Sequence, residues 1–498
     1  MKKVNIILIL IISAGLALRL WRVDLPLLEF YPSRQIQTAD IARNFYKYDL
    51  PITKPAVSYL GQDLTPFLVE FPGYNFAIAQ VYRIIGSADE VIGRLFSIIG
   101  WLVSVYFLFQ LAKRYVGEKA ALISSFFYTF SPLSILISRS FQPDQWMLTV
   151  SLAAIYFLAS WHRRRELLFY LSATLASIAL LLKTPAVIFI LIPAAFLLKS
   201  KKVELLSPKS ITYFGIALLP PVVWYLYVTY VNRMGEVLKE SVVLANWFGF
   251  EIFLNPKYYS NLFGFEYNLV LLPVGMVLFL IGLSSKLRRE QFILYIWLAS
   301  ITFYFVIFNK HNMTHEYYHL PFLPIAAIFI GLGFVKVTRS FRDLIIPKNL
   351  SLATCFLLLV VMMLPPTLGR AYKPIERFSY VLETAEVIQK LTKPDDLIIG
   401  SMDAGPSLVY YSDRRGWPFE IDRKNTAETL AFYGVGDKKV VDPIEDLEQM
   451  RSNGATIFAA ASKDQFLEND EFAKYMYGSY RVLVETDNYI IFDLNSPD

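Results

Sequence analysis

Eleven apolar runs punctuate this chain, at roughly residues 4–20, 92–112, 120–137, 146–161, 167–182, 184–198, 210–231, 267–284, 291–308, 319–335 and 350–366. No other feature limits the architecture as much. Lipid offers the backbone no hydrogen-bond partner, so a crossing segment must satisfy its own amides and carbonyls. A helix does this over about 20 mainly apolar residues. Several runs are short, and the 167–198 pair could be one hairpin kinked around Thr184-Pro185, so the count holds to within one or two. Only 18% of the residues are charged, against about 25% in a soluble globule. The first run flows into Arg19, Trp21 and Arg22 without a small-x-small cleavage site, and is read as an uncleaved span rather than a signal peptide.

Charge orients the spans. Alternate connections carry Lys2-Lys3, Lys113/Arg114/Lys119, Arg163-Arg164-Arg165, Lys199/Lys201/Lys202, Lys286/Arg288/Arg289 and Lys336/Arg339/Arg342. Short basic connections face the cytoplasm. That leaves residues 21–91, the turn SRSFQPDQ, the turn at Lys183, residues 232–266, NKHNMTHEYYH and the C-terminal region outside. Residues 370–498 hold 15 Lys and Arg against 23 Asp and Glu, which leaves 33 against 19 in residues 1–369. A basic membrane domain, 1–369, is thus joined to an acidic domain, 370–498. The basic excess lies in short loops and does not suggest nucleic acid. Cys355 is alone, so there is neither a disulfide framework nor a cysteine metal site.

The external loop 21–91 contains two amphipathic stretches, DIARNFY with Ile41, Phe45 and Tyr48 on one side, and EFPGYNFAIAQVYRIIG with Phe76, Ala79 and Ile84 as apolar contacts. Both suit helices lying at the membrane interface. Trp247, Phe248, Tyr258 and Tyr259 mark another interfacial segment. Beyond Pro365-Pro366 the pattern becomes a small α/β domain. Its helices are 376–391, PIEDLEQMRSNGA with Gly454 as its C-cap, and KDQFLENDEFAKYMY. Its strands are DDLIIGS, LVYY, TIFAAA, RVLVE and YIIFDL. It has no phosphate-binding glycine loop, so no nucleotide chemistry is assigned to it.

Ionisable groups at membrane exits often mark function. Arg139 and Asp144 flank the turn between the third and fourth spans. Lys183 sits in LLLKTPAV. His311, His315, Glu316, Tyr317 and Tyr318 cluster at a later exit, and the first loop offers Arg34, Asp40 and Glu70. Blander roles compete with each assignment. Arg139 and Lys183 would also be explained by snorkelling, Asp144 by capping its helix, and the histidines by solvation. His311 and His315, four apart, could share a helical face, but there is no HExxH pattern. A divalent metal is left open and no cofactor is assigned. Cations beside the interface can hold a phosphate, and a carboxylate can deprotonate an acceptor. Together these suggest group transfer from a lipid-linked phosphate.

The segments LRLWRVDLP, SRQIQTADIARNFY, EFPGYNFAIA, SRSFQPDQWM, LLLKTPA and HEYYHLPFLP together resemble the GT-C membrane glycosyltransferases, specifically glycosyltransferase family 39, which includes protein O-mannosyltransferases and lipid A aminoarabinose transferases. The resemblance covers nearly the whole chain. It implies a GT-C type fold, a polyprenyl-phosphate sugar donor, inverting transfer to a protein, lipid or glycan acceptor, and an active site at the outer face of the inner membrane. Arg139 and Asp144 correspond to the family's Arg-x-x-x-Pro-acid turn, Lys183 to its Lys-Pro turn, and His315 with Tyr317-Tyr318 to its late His-x-Tyr-Tyr motif. Arg34, Arg139 or Lys183 would hold the donor phosphate, and the His315–Tyr318 segment would line the sugar pocket. One branch has an aspartate where this chain has Gln37, and a glutamine cannot accept the acceptor's proton. Asp40 and Glu70 are the replacements, and the sequence does not choose between them. A flippase or transporter of lipid-linked sugar, and an inactive relative that binds such a lipid, are the competing readings. Against the transporter stand the lack of an inverted repeat and the few charges within spans.

Overall fold

A computed structural model of the chain describes residues 2–234, 247–342, 348–372, 379–401, 405–421 and 442–495. The described residues group into two compact units, one of residues 2–23, 94–234 and 247–372, the other of residues 24–93 and 379–495.

The first unit is helical. Every apolar run coincides with helix, from Lys2–Leu20 through Glu90–Val116 and Asp144–Ser160 to Phe322–Arg342 and Lys348–Ala371. Among the described residues, five helices are long and apolar enough to cross a membrane, or seven if each of two bent pairs is one span, and three more are apolar but shorter. The breaks have local causes. Gly117, at φ 87°, separates Glu90–Val116 from Glu118–Phe130 in a left-handed conformation suited to glycine. Pro132 opens a new helix that bends the third run by 58°, because its ring cannot continue the preceding one.

Arg19 is wholly buried. Its guanidinium donates to Ser138 Oγ at 2.7 Å, Gly15 O at 3.0 Å, Thr129 O at 3.1 Å and Ser134 Oγ at 3.0 Å. It also lies 3.7 Å from the Trp101 ring centre. Helices Leu272–Leu283 and Phe322–Arg342 meet backbone to backbone. A Cβ on Gly333 would stand 1.9 Å from Leu278 O, and one on Gly282 1.9 Å from Phe329 O. Small residues permit such approach between membrane helices. Gly333→Ala is therefore expected to cost about 1–3 kcal/mol as overpacking, read as a lower Tm of the purified protein. An unchanged Tm would mean that the two backbones separate freely.

The second unit pairs the first loop with the C-terminal residues. Helices Pro32–Lys47 and Gly73–Ile85 flank a short antiparallel pair, Ala56–Val57 with Thr65–Pro66. Ile41, Phe45 and Ala79 are buried as expected, whereas Tyr48 and Ile84 are 51% and 84% exposed. Phe45 meets Phe76 edge-on at 5.4 Å.

The C-terminal part is a five-stranded mixed sheet in the order Arg415–Phe419, Leu397–Ser401, Ala455–Ala460, Ile490–Asp493, Arg481–Glu485. The first three strands run parallel and the last two pairings are antiparallel. Gly454, at φ 96°, follows helix Pro443–Ser452 as expected.

Two readings change, and one strand is new. LVYY is helical, within Ser407–Tyr411, because Pro406 starts a turn there and Tyr410 N–H donates to Pro406 O; a short buried apolar run fits either element. The strand Arg415–Phe419 had no reading in the sequence. Its Pro418 is tolerated because the strand lies at the sheet edge. Helix 463–477 divides at Asn469, whose side chain caps Asp470–Ser479. The expected helix start at 376 lies outside the described residues.

Candidate functional site

Lys183 sits where helix Glu166–Leu182 stops. Its backbone is extended, and Pro185 then opens helix Ala186–Ser200. The side chain stays buried and forms an ion pair with Asp144, Nζ to Oδ1 2.8 Å, with the two side chains 5% and 2% exposed. Asp144 is the first residue of its helix, after Pro143, where a negative charge is also favoured by the helix dipole. The turn Glu316–His319 supplies the third component. Its Tyr317 and Tyr318 rings lie 4.7 and 5.1 Å from the Lys183 ammonium, a distance at which the ring faces attract a cation. His315 stacks on Tyr317 at 5.2 Å and 14°. Tyr304 steadies the turn by donating to Tyr318 O at 2.9 Å.

Three segments that are far apart in sequence thus converge on one ammonium. Asp144 Oδ2 is buried without a hydrogen-bond partner among the described residues. An incoming phosphate would meet a cation already held in place, and would compete with Asp144 for it.

His311 meets Tyr318 edge-on at 5.3 Å. Burial, followed by the charges of Lys183 and Lys310, pushes its imidazole down to about 4, so it is neutral at pH 7. Burial raises the Glu316 carboxyl. The helix carrying His311 ends at Thr314 and His315 is extended, so these histidines share no helical face. Among the described residues no group of three or more His, Cys, Asp or Glu is gathered for a metal. Arg139 ends helix Pro132–Arg139, donates to Arg22 O at 3.0 Å and lies 4.7 Å from the Tyr372 ring centre.

The loop residues belong to the other unit. The Arg34 guanidinium pairs with Glu70, their side chains 20% and 26% exposed. Gln37, on the same helix as Arg34, is half-buried. Asp40 is fully buried. One carboxylate oxygen accepts from Ser58 N–H at 2.7 Å and from Asn44 at 3.4 Å, and the other accepts from Arg43 at 2.8 Å and Ser58 Oγ at 3.0 Å. Arg43 also donates to Tyr410 O at 2.9 Å and lies near Asp413 at 3.3 Å. Burial is the largest single influence on its guanidinium and opposes the charge, but Asp40, Tyr410 and Asp413 together outweigh it and hold the group above its ordinary range.

The sequence did not point to Tyr304 as a support of the turn, and nothing local marks it.

The family model for dolichyl-phosphate-mannose-protein mannosyltransferase matches residues 69–227. An uncharacterized protein of Aquifex aeolicus (strain VF5) is 25% identical over 337 residues, covering 66% of this chain and 61% of that protein, so the match spans less than two thirds of the relative. ArnT from Cupriavidus metallidurans, solved bound to undecaprenyl phosphate, is similar with a TM-score of 0.63 at 15% identity, over 98% of this chain and 97% of that one. The archaeal oligosaccharyltransferase AglB from Archaeoglobus fulgidus, solved with an inhibitory peptide and a dolichol-phosphate, is similar with a TM-score of 0.54 at 11% identity, over 98% and 74%. At these identities the likeness to the solved structures is one of fold.

Proposed function

We infer that this chain, which has the fold of the GT-C membrane glycosyltransferases, moves a sugar from a polyprenyl-phosphate donor to an acceptor hydroxyl or amine. The acceptor nucleophile attacks the anomeric carbon, the bond from that carbon to the phosphate oxygen breaks, and polyprenyl phosphate leaves with inversion. The observation that carries this reading is the buried Lys183 ammonium, set between Asp144 and the faces of Tyr317 and Tyr318. A fixed cation stabilises the charge that develops on the leaving phosphate. Lys183 is assigned to the donor phosphate, with Arg139 and Arg34 as further cations. Gln37, Asp144, His315, Glu316, Tyr317 and Tyr318 are assigned to the substrate pocket.

The proposed topology has about eleven spans in the inner membrane, with the first loop and the α/β domain on the extracytoplasmic side. It rests on the alternating basic loops. A lipid donor suits that side because it is carried by the membrane itself.

Of the two candidate bases, Glu70 is preferred. The Asp40 oxygens already accept four hydrogen bonds in a buried setting, whereas the Glu70 side chain, paired with Arg34, is 26% exposed and open to an acceptor. The test is transfer by the reconstituted protein from radiolabelled polyprenyl-phosphate sugars. Glu70→Gln is expected to lower kcat by about 10²–10⁴-fold, the range for a lost general base. Its folding should be preserved, since a partly exposed ion pair contributes only about 0–1 kcal/mol. Full activity in Glu70→Gln would remove Glu70 as the base. Lipid movement without sugar transfer would favour a flippase, and donor binding without transfer an inactive relative, the reading that Gln37 prompts.

A further inference from the structure

His319 and Glu266 form a buried pair that neither the sequence motifs nor the transfer reaction uses. His319 is wholly buried. Its Nε2 lies 2.8 Å from Asn312 O and its Nδ1 2.7 Å from Glu266 Oε1. The rings of Phe265 and Phe305 stand 5.1 Å from it on either contact. A peptide carbonyl can only accept, so Nε2 must carry a proton. A second proton must lie between Nδ1 and Oε1, because two lone pairs at that distance would repel. The pair therefore holds one shared proton and is neutral overall, whichever atom the proton sits on. Such a pair avoids the cost of an isolated buried charge.

Its position is informative. Asn312 belongs to the helix Asn309–Thr314, and His319 closes the turn that begins at Glu316. The imidazole thus clasps both ends of the segment that carries Tyr317 and Tyr318. Glu266 anchors the clasp to a single π-turn, Glu266–Val270, directly before a 99° bend in the helix pair. Isolated π-turns inside helices are often found at functional sites.

We propose that Glu266 and His319 are positioning residues for donor binding, a one-proton clasp that holds the Tyr317-Tyr318 turn against the Lys183 ammonium. The inference rests on Lys183 being the donor-phosphate site. It adds that the aromatic wall of that site is set by a pair that shares one proton and carries no net charge. An amide in place of the carboxyl reproduces the donated hydrogen bond, while an aspartate keeps the acid but shortens the reach by one methylene.

The experiment measures binding of undecaprenyl phosphate to the full-length protein in liposomes, together with the Tm of each variant. Glu266→Gln is expected to bind as the parent does. Glu266→Asp and His319→Ala are expected to raise Kd about tenfold or more, the worth of one well-placed hydrogen bond. Lys183→Ala is expected to lose binding. A Glu266→Gln variant as weak as Glu266→Asp would overturn the neutral clasp. Parental binding by both Glu266→Asp and His319→Ala, with binding lost in Lys183→Ala, would overturn the positioning role and leave the donor site standing. Parental binding by Lys183→Ala would overturn the donor-site reading and this inference with it. A His319→Ala protein that fails to fold leaves the decision to the Gln and Asp variants at position 266.

Discussion

Lys183→Ala is expected to lower sugar transfer by about one to two orders of magnitude and to destabilise the protein at the same time. A charge-assisted contact to phosphate contributes about 1.5–3 kcal/mol, so its loss alone lowers transfer by about 10–150-fold. The stability effect has a different origin. Asp144 would remain buried with no counter-charge, and breaking one side of a buried ion pair costs about 3–5 kcal/mol. The two effects can be separated. Lys183→Met combined with Asp144→Leu replaces both charges with apolar groups of similar length, which is often neutral or stabilising in buried sites. The double variant should therefore regain its Tm while its sugar transfer stays low. Recovery of transfer along with stability would show that Lys183 serves only the fold. Lys183→Arg is not a conservative control, because a planar fork cannot occupy the place of a compact ammonium between two rings.

Asp40→Ala is expected to have the largest effect on folding of any single change in the loop unit. The carboxylate gathers the Ser58 amide, the Ser58 hydroxyl, Asn44 and Arg43 around one buried point. Removing it leaves a guanidinium that is only 11% exposed without its nearest counter-charge, again about 3–5 kcal/mol. Thermal unfolding and proteolysis of residues 24–93 should both report the loss. An unchanged Tm would mean that Asp413 alone suffices for Arg43. The contrast with Glu70→Gln is the useful one, since that change should lower kcat and leave the Tm in place.

Much of the helical unit could be read in advance because apolar runs and prolines are local signals. Asp144 and Lys183 were placed at helix ends because the runs stop beside them, and the tyrosines of HEYYH because they follow a run. What local pattern could not supply was partnership. Asp40 looked like a free acid three residues from Gln37, yet its fate is decided by Ser58, which lies 18 residues further on. Glu266 and His319 are 53 residues apart, and neither has a neighbour in sequence that announces the other. The strand Arg415–Phe419 contains a glycine and a proline, residues that normally argue against a strand. Its place at an edge, beside Leu397–Ser401, is a tertiary fact. Gly416 is needed there because a Cβ would stand 1.9 Å from Ile398 O.

The joining of the first loop to the last domain has a consequence for how the protein is made. Arg43 finds Tyr410 at a separation of 367 residues, and Lys47 finds Asp413 at 366. Loop residues leave the ribosome well before their partners, which lie 367 and 366 residues further along the chain. The helix Pro32–Lys47 must therefore wait, with the face that Arg43 and Lys47 present still uncovered, until Tyr410 and Asp413 have been synthesised. Contacts so distant in sequence form slowly, and exposed segments that await a partner are where misassembly begins. Completion of the loop unit is thus set by the arrival of Tyr410 and Asp413 rather than by folding of the loop itself.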